Sequence, residues 1–322
     1  MKKSLIMVGS AVLLAGAITI TALKSAPGLT DLIDKSTPTI TPTATYTPTP
    51  TATYTPTSTP TPEHSARMLA LRDDLANRID EYAKDGIDTA VTVTDLSTLE
   101  TINIQGDKPM QPGCTANLFA LLMLMDEVEK GNINYADIQN SLAEGVAYSH
   151  PNKFADIFIQ EYGSIRVGEI KTQEWMISHQ FPGIYDHVPT YPSLTGKPDE
   201  LTSNVVNDAF VRLYRGELFK NPLITEETEN LLRDGIPGYL KYMLPEYIQG
   251  DIEWIMRKLG TFEDGNGFRP EIDCGIVQPL SERTYSICVF TAGGTSIRDT
   301  RRGTGSYVIA DLSEIVLKHF QQ

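Results

Sequence analysis

Between Ser36 and Pro62 threonine occupies every odd position from Thr37 to Thr61, and proline takes seven of the others. The block Thr-Ala-Thr-Tyr-Thr-Pro-Thr stands at 43–49 and again at 51–57, a period of eight residues. Such a stretch cannot bury enough apolar surface to offset the entropy of ordering its backbone, and its prolines bias it toward extended polyproline II. In that form it reaches roughly 80 Å. It reads either as a stiff spacer, open to O-glycosylation, or as a linker of no specific length. On both readings the part of the chain able to fold begins near Glu63.

Upstream, Met1-Lys2-Lys3 precedes an uncharged, mainly apolar run from Leu5 to Leu23, closed by Lys24. A basic start followed by an apolar run is the pattern of an export segment. At 1.5 Å per residue the run just covers a bilayer core of about 30 Å. Ala22-Leu23-Lys24-Ser25-Ala26 carries a lysine where a cleavage site wants small residues, so a retained anchor is favoured over a removed signal peptide. The expected organisation is an export segment or anchor over 1–25, a Thr/Pro stalk over 26–63 and one folded domain over 64–322, outside the cytoplasm.

The 322 residues carry 27 Lys plus Arg against 41 Asp plus Glu, a formal charge of −14. A nucleic acid, which is held largely through phosphate neutralisation by basic patches, is excluded as a partner. Three cysteines without a C-x-x-C pair cannot build a disulfide scaffold or a structural zinc site. His64, His179, His187 and His319 are dispersed, so neither a metal nor a cofactor is expected. Arg298, Arg301 and Arg302 cluster near the C-terminal end and read as a solvated turn.

Within the folding part, Met68, Leu71, Leu75, Ile79 and Tyr82 recur at helical spacing over His64–Asp85. Ile87–Leu96 and Leu99–Ile104 alternate as two hairpin strands, and Leu118–Val128 is a strongly apolar helix ended by Gly131. Residues 135–245 read as short helices broken by Pro and Gly. Strand-like runs follow at Ile252–Leu259, Glu271–Val277 and Thr284–Thr291, and a helix over Ser306–Phe320 closes the chain. The fold class expected is α/β (α+β): an antiparallel sheet built from both chain ends and flanked by helices, with an inserted all-helical lobe and a cleft where the two meet.

This order, together with five local segments, resembles the class A β-lactamases and related penicillin-recognising acyl enzymes from about residue 65 to the C-terminus. That family carries Ser-x-x-Lys at a helix start, Ser-Asp-Asn in the helical lobe and Lys-Thr-Gly on a strand. The corresponding segments here are Pro112-Gly113-Cys114-Thr115-Ala116-Asn117-Leu118-Phe119, Ser149-His150-Pro151-Asn152 and Lys258-Leu259-Gly260-Thr261. Leu201-Thr202-Ser203-Asn204 before Leu213-Tyr214-Arg215-Gly216-Glu217-Leu218, and Asp273-Cys274-Gly275-Ile276-Val277, match without chemistry. The resemblance implies the β-lactamase/transpeptidase-like fold and a cleft for a β-lactam or a cell-wall peptide.

The departures bear on the chemistry. Cys114 stands at the serine nucleophile's position and Asn117 at the lysine's. A carboxamide can hydrogen-bond but has no basicity near neutral pH. The second signature aligns best with His150, Pro151 and Asn152; a shift by one restores Ser149 and loses Asn152. In the third, Lys258 and Gly260 survive and Leu259 replaces threonine. No convincing loop glutamate for deacylation precedes Thr202, although Glu200 and Asn204 share the spacing. Cys114, Asn117 and His150 are therefore the candidate catalytic positions, and Asn152, Lys258, Gly260 and Thr261 the candidate ligand-binding ones. Lys258 reads either as the holder of a substrate carboxylate, helped by Thr261, or as an edge-strand lysine in solvent.

Three functions follow. The first is a monomeric binding relative that has lost serine chemistry. The second is a thiol hydrolase or acyl transferase using a Cys114–His150 pair. The third is a structural surface module. Cys274 and Cys288 lie on neighbouring strands, either as a cross-strand disulfide or, the favoured reading, as two reduced core cysteines.

Overall fold

A computed structural model of the chain describes residues 65–147, 149, 151–183, 200–233, 251–261, 271–281, 283–293 and 304–322. The export segment, the Thr/Pro stretch, His150 and the Arg298–Arg302 cluster lie outside the described residues. No helix among the described residues is long and apolar enough to cross a membrane.

Helix α1 (Ala66–Lys84) begins where the Ser65 hydroxyl accepts from the Met68 amide at 3.4 Å, and it buries Met68, Leu71, Leu75 and Ile79 along one stripe. Strands β1 (Ile87–Asp95) and β2 (Thr101–Ile104) follow. A 3₁₀ turn (Gly113–Ala116) runs directly into α2 (Asn117–Glu129). Helices α3 (Tyr135–Ala147), α4 (Pro151–Tyr162), α5 (Ile165–Ser178), α6 (Ser203–Tyr214) and α7 (Pro222–Arg233) make the helical insertion. Strands β3 (Ile252–Thr261), β4 (Glu271–Pro279) and β5 (Tyr285–Gly293) and helix α8 (Thr304–Gln321) complete the order.

The strands form one antiparallel sheet in the order β2-β1-β5-β4-β3, so the N-terminal hairpin pairs with the last strand in sequence and β3 is an edge. One face packs on α1 and α8: Val91, Val93, Ile287 and Val289 meet Leu71, Leu75, Leu312 and Val316 in one apolar cluster. The other face carries Ala90, Met256, Cys274, Cys288 and Phe290 into a larger cluster with the helical insertion. Burial of each large aliphatic side chain is worth roughly 1.5–3 kcal/mol. Both faces being covered explains why β1 is buried along almost its whole length.

Helix α2 is buried at every residue from Asn117 to Asp126. A helix apolar all round can exist only inside a lobe, and α2 is the centre of this one. The insertion is tied to the sheet by a satisfied polar seam. Thr92 and Ser203 share a hydroxyl hydrogen bond at 2.9 Å, Asn207 Nδ2 donates to Thr94 Oγ1 at 2.7 Å, and Ser286 Oγ donates to Asn207 Oδ1 at 2.7 Å. On the opposite face Asp311 of α8 accepts from Arg78 Nε at 2.6 Å and from the Tyr82 hydroxyl at 2.7 Å on α1.

The reduced state favoured for Cys274 and Cys288 is corrected: the two are bonded as a disulfide. Their positions are direct partners in the β4–β5 register, so both side chains leave the same face of the sheet. Sequence spacing alone does not reveal that register. Alkylation of the denatured protein without reductant should therefore add one group, at Cys114, and three after reduction. Three groups before reduction would refute the bond.

Candidate active site

The site begins with a backbone contact. Gly113 has φ 53°, in the region that favours glycine, and a Cβ there would stand 2.8 Å from the carbonyl oxygen of Thr261 and 3.0 Å from its carbon. On the facing strand, a Cβ at Gly260 would lie 2.5 Å from Thr115 Oγ1 and 2.7 Å from the Thr115 amide nitrogen, with the Pro112 carbonyl nearer still. The 3₁₀ turn and the end of β3 thus press together with a glycine on each side. Cys114, between Gly113 and Thr115, is held half-buried against β3.

Thr92, Cys288, Cys274 and Lys258 are successive partners across β1, β5, β4 and β3. Directly opposed residues share a face, and Thr92 bonds Ser203 of α6, so Lys258 projects toward the helical insertion. Gly260, two residues on, faces the same way and meets the Cys114 turn. Lys258 is only 1% exposed although β3 is an edge strand, so the reading of a solvated edge lysine is corrected. Its Nζ donates to Ser149 Oγ and, at 3.2 Å, to the Leu259 carbonyl. Ser149 has φ 49°, a conformation costly for a residue with a Cβ, and its hydroxyl also lies 3.4 Å from the Leu259 carbonyl.

Burial pushes the Lys258 amine down to about 8. A negative charge on Cys114 and the Asp273 carboxylate oppose that shift, while Arg257 adds to it, so the thiol lies within electrostatic reach of the amine. Arg257 and Asp273 leave the other face as a buried ion pair at 3.0 Å. Burial lifts the Asp273 carboxyl to about 6 against the pull of Arg257 and Lys258.

Asn117 is fully buried, and neither polar atom of its side chain has a hydrogen-bond partner among the described residues. Thr115 Oγ1 is likewise unpartnered. A buried polar group left unsatisfied costs about 1–3 kcal/mol, and both of these lie within three residues after Cys114. Asn117 follows Cys114 by three residues, which places both on one side of the turn. No group of three or more metal-ligating side chains occurs among the described residues.

Of the positions expected from sequence, Cys114, Asn117, Lys258, Gly260 and Thr261 come from the 3₁₀ turn, the start of α2 and the end of β3, the segments that meet at this contact. Thr261 is exposed at the strand end, and Asn152 is exposed in the first turn of α4. His150 lies outside the described residues. The hydroxyl that meets Lys258 belongs to Ser149, the residue that the one-residue shift places at the signature's start. Ser149, which the one-residue shift offered, was not among the candidate positions; its signal was the pairing chemistry of a hydroxyl with a lysine. Arg257 and Asp273 were also missed, because nothing local marks an ion pair sixteen residues apart.

Two outcomes test this geometry. Gly260→Ala should lose about 1–3 kcal/mol of stability in urea unfolding, the usual cost of overpacking, because two of its three near contacts are backbone atoms. A neutral effect would mean that the turn is not seated on β3. The depressed Lys258 pKa penalises the charged amine in the folded chain, fully below about pH 8, and the penalty fades as the unfolded amine deprotonates toward 10.5. Stability of the wild type relative to Lys258→Met should therefore rise between pH 8 and 10.5, by up to about 3 kcal/mol. A pH-independent difference would place the amine in water.

No family model matches the sequence, and no curated protein matches it. Solved structures do. TLA-1 extended-spectrum β-lactamase is 14% identical with a TM-score of 0.65, covering 78% of this chain and 99% of that one. TLA-3 extended-spectrum β-lactamase is 15% identical with a TM-score of 0.63, covering 78% and 100%. A representative class A β-lactamase from Bacteroides cellulosilyticus DSM 14838 is 17% identical with a TM-score of 0.65, covering 78% and 98%. At such identities the likeness speaks for architecture, and the chain has a class A β-lactamase-like fold.

Proposed function

We propose that this is an exported, stalk-borne domain that binds a β-lactam or an acyl-D-alanine-type cell-wall peptide and does not turn it over. The observation that carries the reading is Asn117. Where the resembled family keeps an amine one helical turn from its nucleophile, this chain holds a fully buried carboxamide whose polar atoms have no partner among the described residues. Such a group can donate to and accept from a ligand in the cleft but cannot accept the nucleophile's proton at neutral pH.

Other features support binding. Cys114 and Ser149 are half-buried and thus reachable, and Thr261 is exposed at the end of the strand that borders them. The buried Lys258 is one positive charge in a strongly acidic chain, placed where it attracts a carboxylate. The apolar run Leu5–Leu23 and the Thr/Pro stretch support export and display at a distance from the membrane.

Incubation with a fluorescent penicillin should give saturable binding, while a chromogenic cephalosporin should be consumed to no more than one equivalent per protein. Sustained multiple turnover would overturn the reading. No binding at all would leave a structural module whose cleft serves no ligand of this class.

A further inference from the structure

We propose that the hollow between the end of α6 and one face of α7 is a second ligand site, built for a small zwitterion: a free amino acid with an apolar side chain. Its lining shares no residue with the Cys114 turn, α2 or β3, and it stands independently of the function proposed above.

The local sequence builds two walls. Arg215 caps the end of α6, and Gly216, at φ 67°, turns the chain in the left-handed region where glycine is at home. Leu218 and Phe219 are then buried, and the Asn221 amide donates to Glu129 Oε1 at 2.5 Å, which pins the returning segment to α2. Asn221 Oδ1 accepts from the Leu223 amide at 3.1 Å, so α7 starts at once. Thr225, Glu226 and Glu229 recur at the spacing that places them on one side of that helix. The space between the walls is about 330 Å³, at the small end of ordinary ligand pockets.

The walls carry opposite charge. Arg215 and Lys220 come from the connecting segment, and Glu226 and Glu229 from the helix. They do not neutralise each other across the gap. Arg215 pairs with Glu217 of its own segment at 2.8 Å, and Glu229 with Arg233 of its own helix at 3.0 Å. Lys220 and Glu226 form no ion pair among the described residues. Burial raises the Glu229 carboxyl above its usual range, Arg233 pulls it back, and the neighbouring Glu226 charge raises it again.

That arrangement selects the ligand's charge. An ammonium beside Glu226 and Glu229, with a carboxylate beside Lys220, completes both walls at once. An ion of one sign completes one wall and is repelled by the other, and a neutral molecule completes neither. The rest of the lining suits an apolar side chain. Tyr214 is 36% exposed, with its ring set against Trp254 at a centroid separation of 6.4 Å, and Phe219 lies beside it in the lining. Thr225 adds a hydroxyl that has no partner among the described residues.

The test titrates the purified full chain with L-leucine and with D-leucine by isothermal calorimetry. At least one enantiomer should saturate one site per chain at millimolar concentration or below. The analogues 4-methylpentanoate and 3-methylbutylamine keep the side chain and lose one charge each, and both should bind at least about tenfold more weakly. Lys220→Met and Glu226→Gln alter exposed residues and should each weaken leucine binding by about tenfold. Lys84→Met removes the same charge at the exposed end of α1 and should leave binding unchanged. Failure of both enantiomers to bind would overturn the site. So would equal binding of either single-charge analogue, or binding undiminished in Lys220→Met and Glu226→Gln. An equal loss in Lys84→Met would reduce the effect to net charge and overturn it too.

Discussion

The seating of the Gly113–Ala116 turn on the last residues of β3 is the constraint from which the site follows. Backbone approaches backbone there, at Gly113 against Thr261 and at Gly260 against Thr115, with no room for a side chain on either side. Because β3 is an edge strand, its outer side is free to receive a turn instead of another strand. Because both faces of the sheet are packed, on α1 and α8 and on the insertion, β3 cannot move to relieve the contact. Cys114 is thereby held at a set height above the row Thr92, Cys288, Cys274, Lys258 that crosses the sheet.

Polar groups divide into two populations. At the seam between sheet and insertion they satisfy one another, as Thr92 with Ser203 and Asn207 with Thr94 and Ser286 do. Near Cys114, Asn117 and Thr115 carry atoms with no partner among the described residues, while Ser149, bonded to Lys258, holds a left-handed backbone conformation. The seam bonds tie the insertion to the sheet, whereas each buried atom left without a partner carries a cost. Lys258 is buried like a seam residue yet bonded to the half-buried Ser149 hydroxyl.

Much of the architecture was legible because it depends on local periodicity. The apolar stripe of α1, the unbroken burial of α2, the closing hairpin and the final helix all follow from spacing that burial enforces, and each begins and ends within a few residues of its expected bounds. Cys114, Asn117, Lys258 and Gly260 could be singled out because their segments keep the spacing of the resembled signatures, although Cys114 and Asn117 are not the residue types those signatures carry. Ser149 was not. A one-residue choice between two registers in Ser149-His150-Pro151-Asn152 has no local arbiter, and the bond to Lys258 spans 109 residues.

The amino-acid order by itself determined which stretches become helices and strands, the carboxamide at 117 and the acidic net charge. All of these depend on neighbours close in the chain or on bulk composition. Tertiary structure alone decided that Cys274 and Cys288 face each other, that an edge-strand lysine is buried, and that this lysine meets Ser149 beside Cys114. Those outcomes are set by strand register and lobe docking. Both arise from burying many side chains at once, so no short window of sequence contains them.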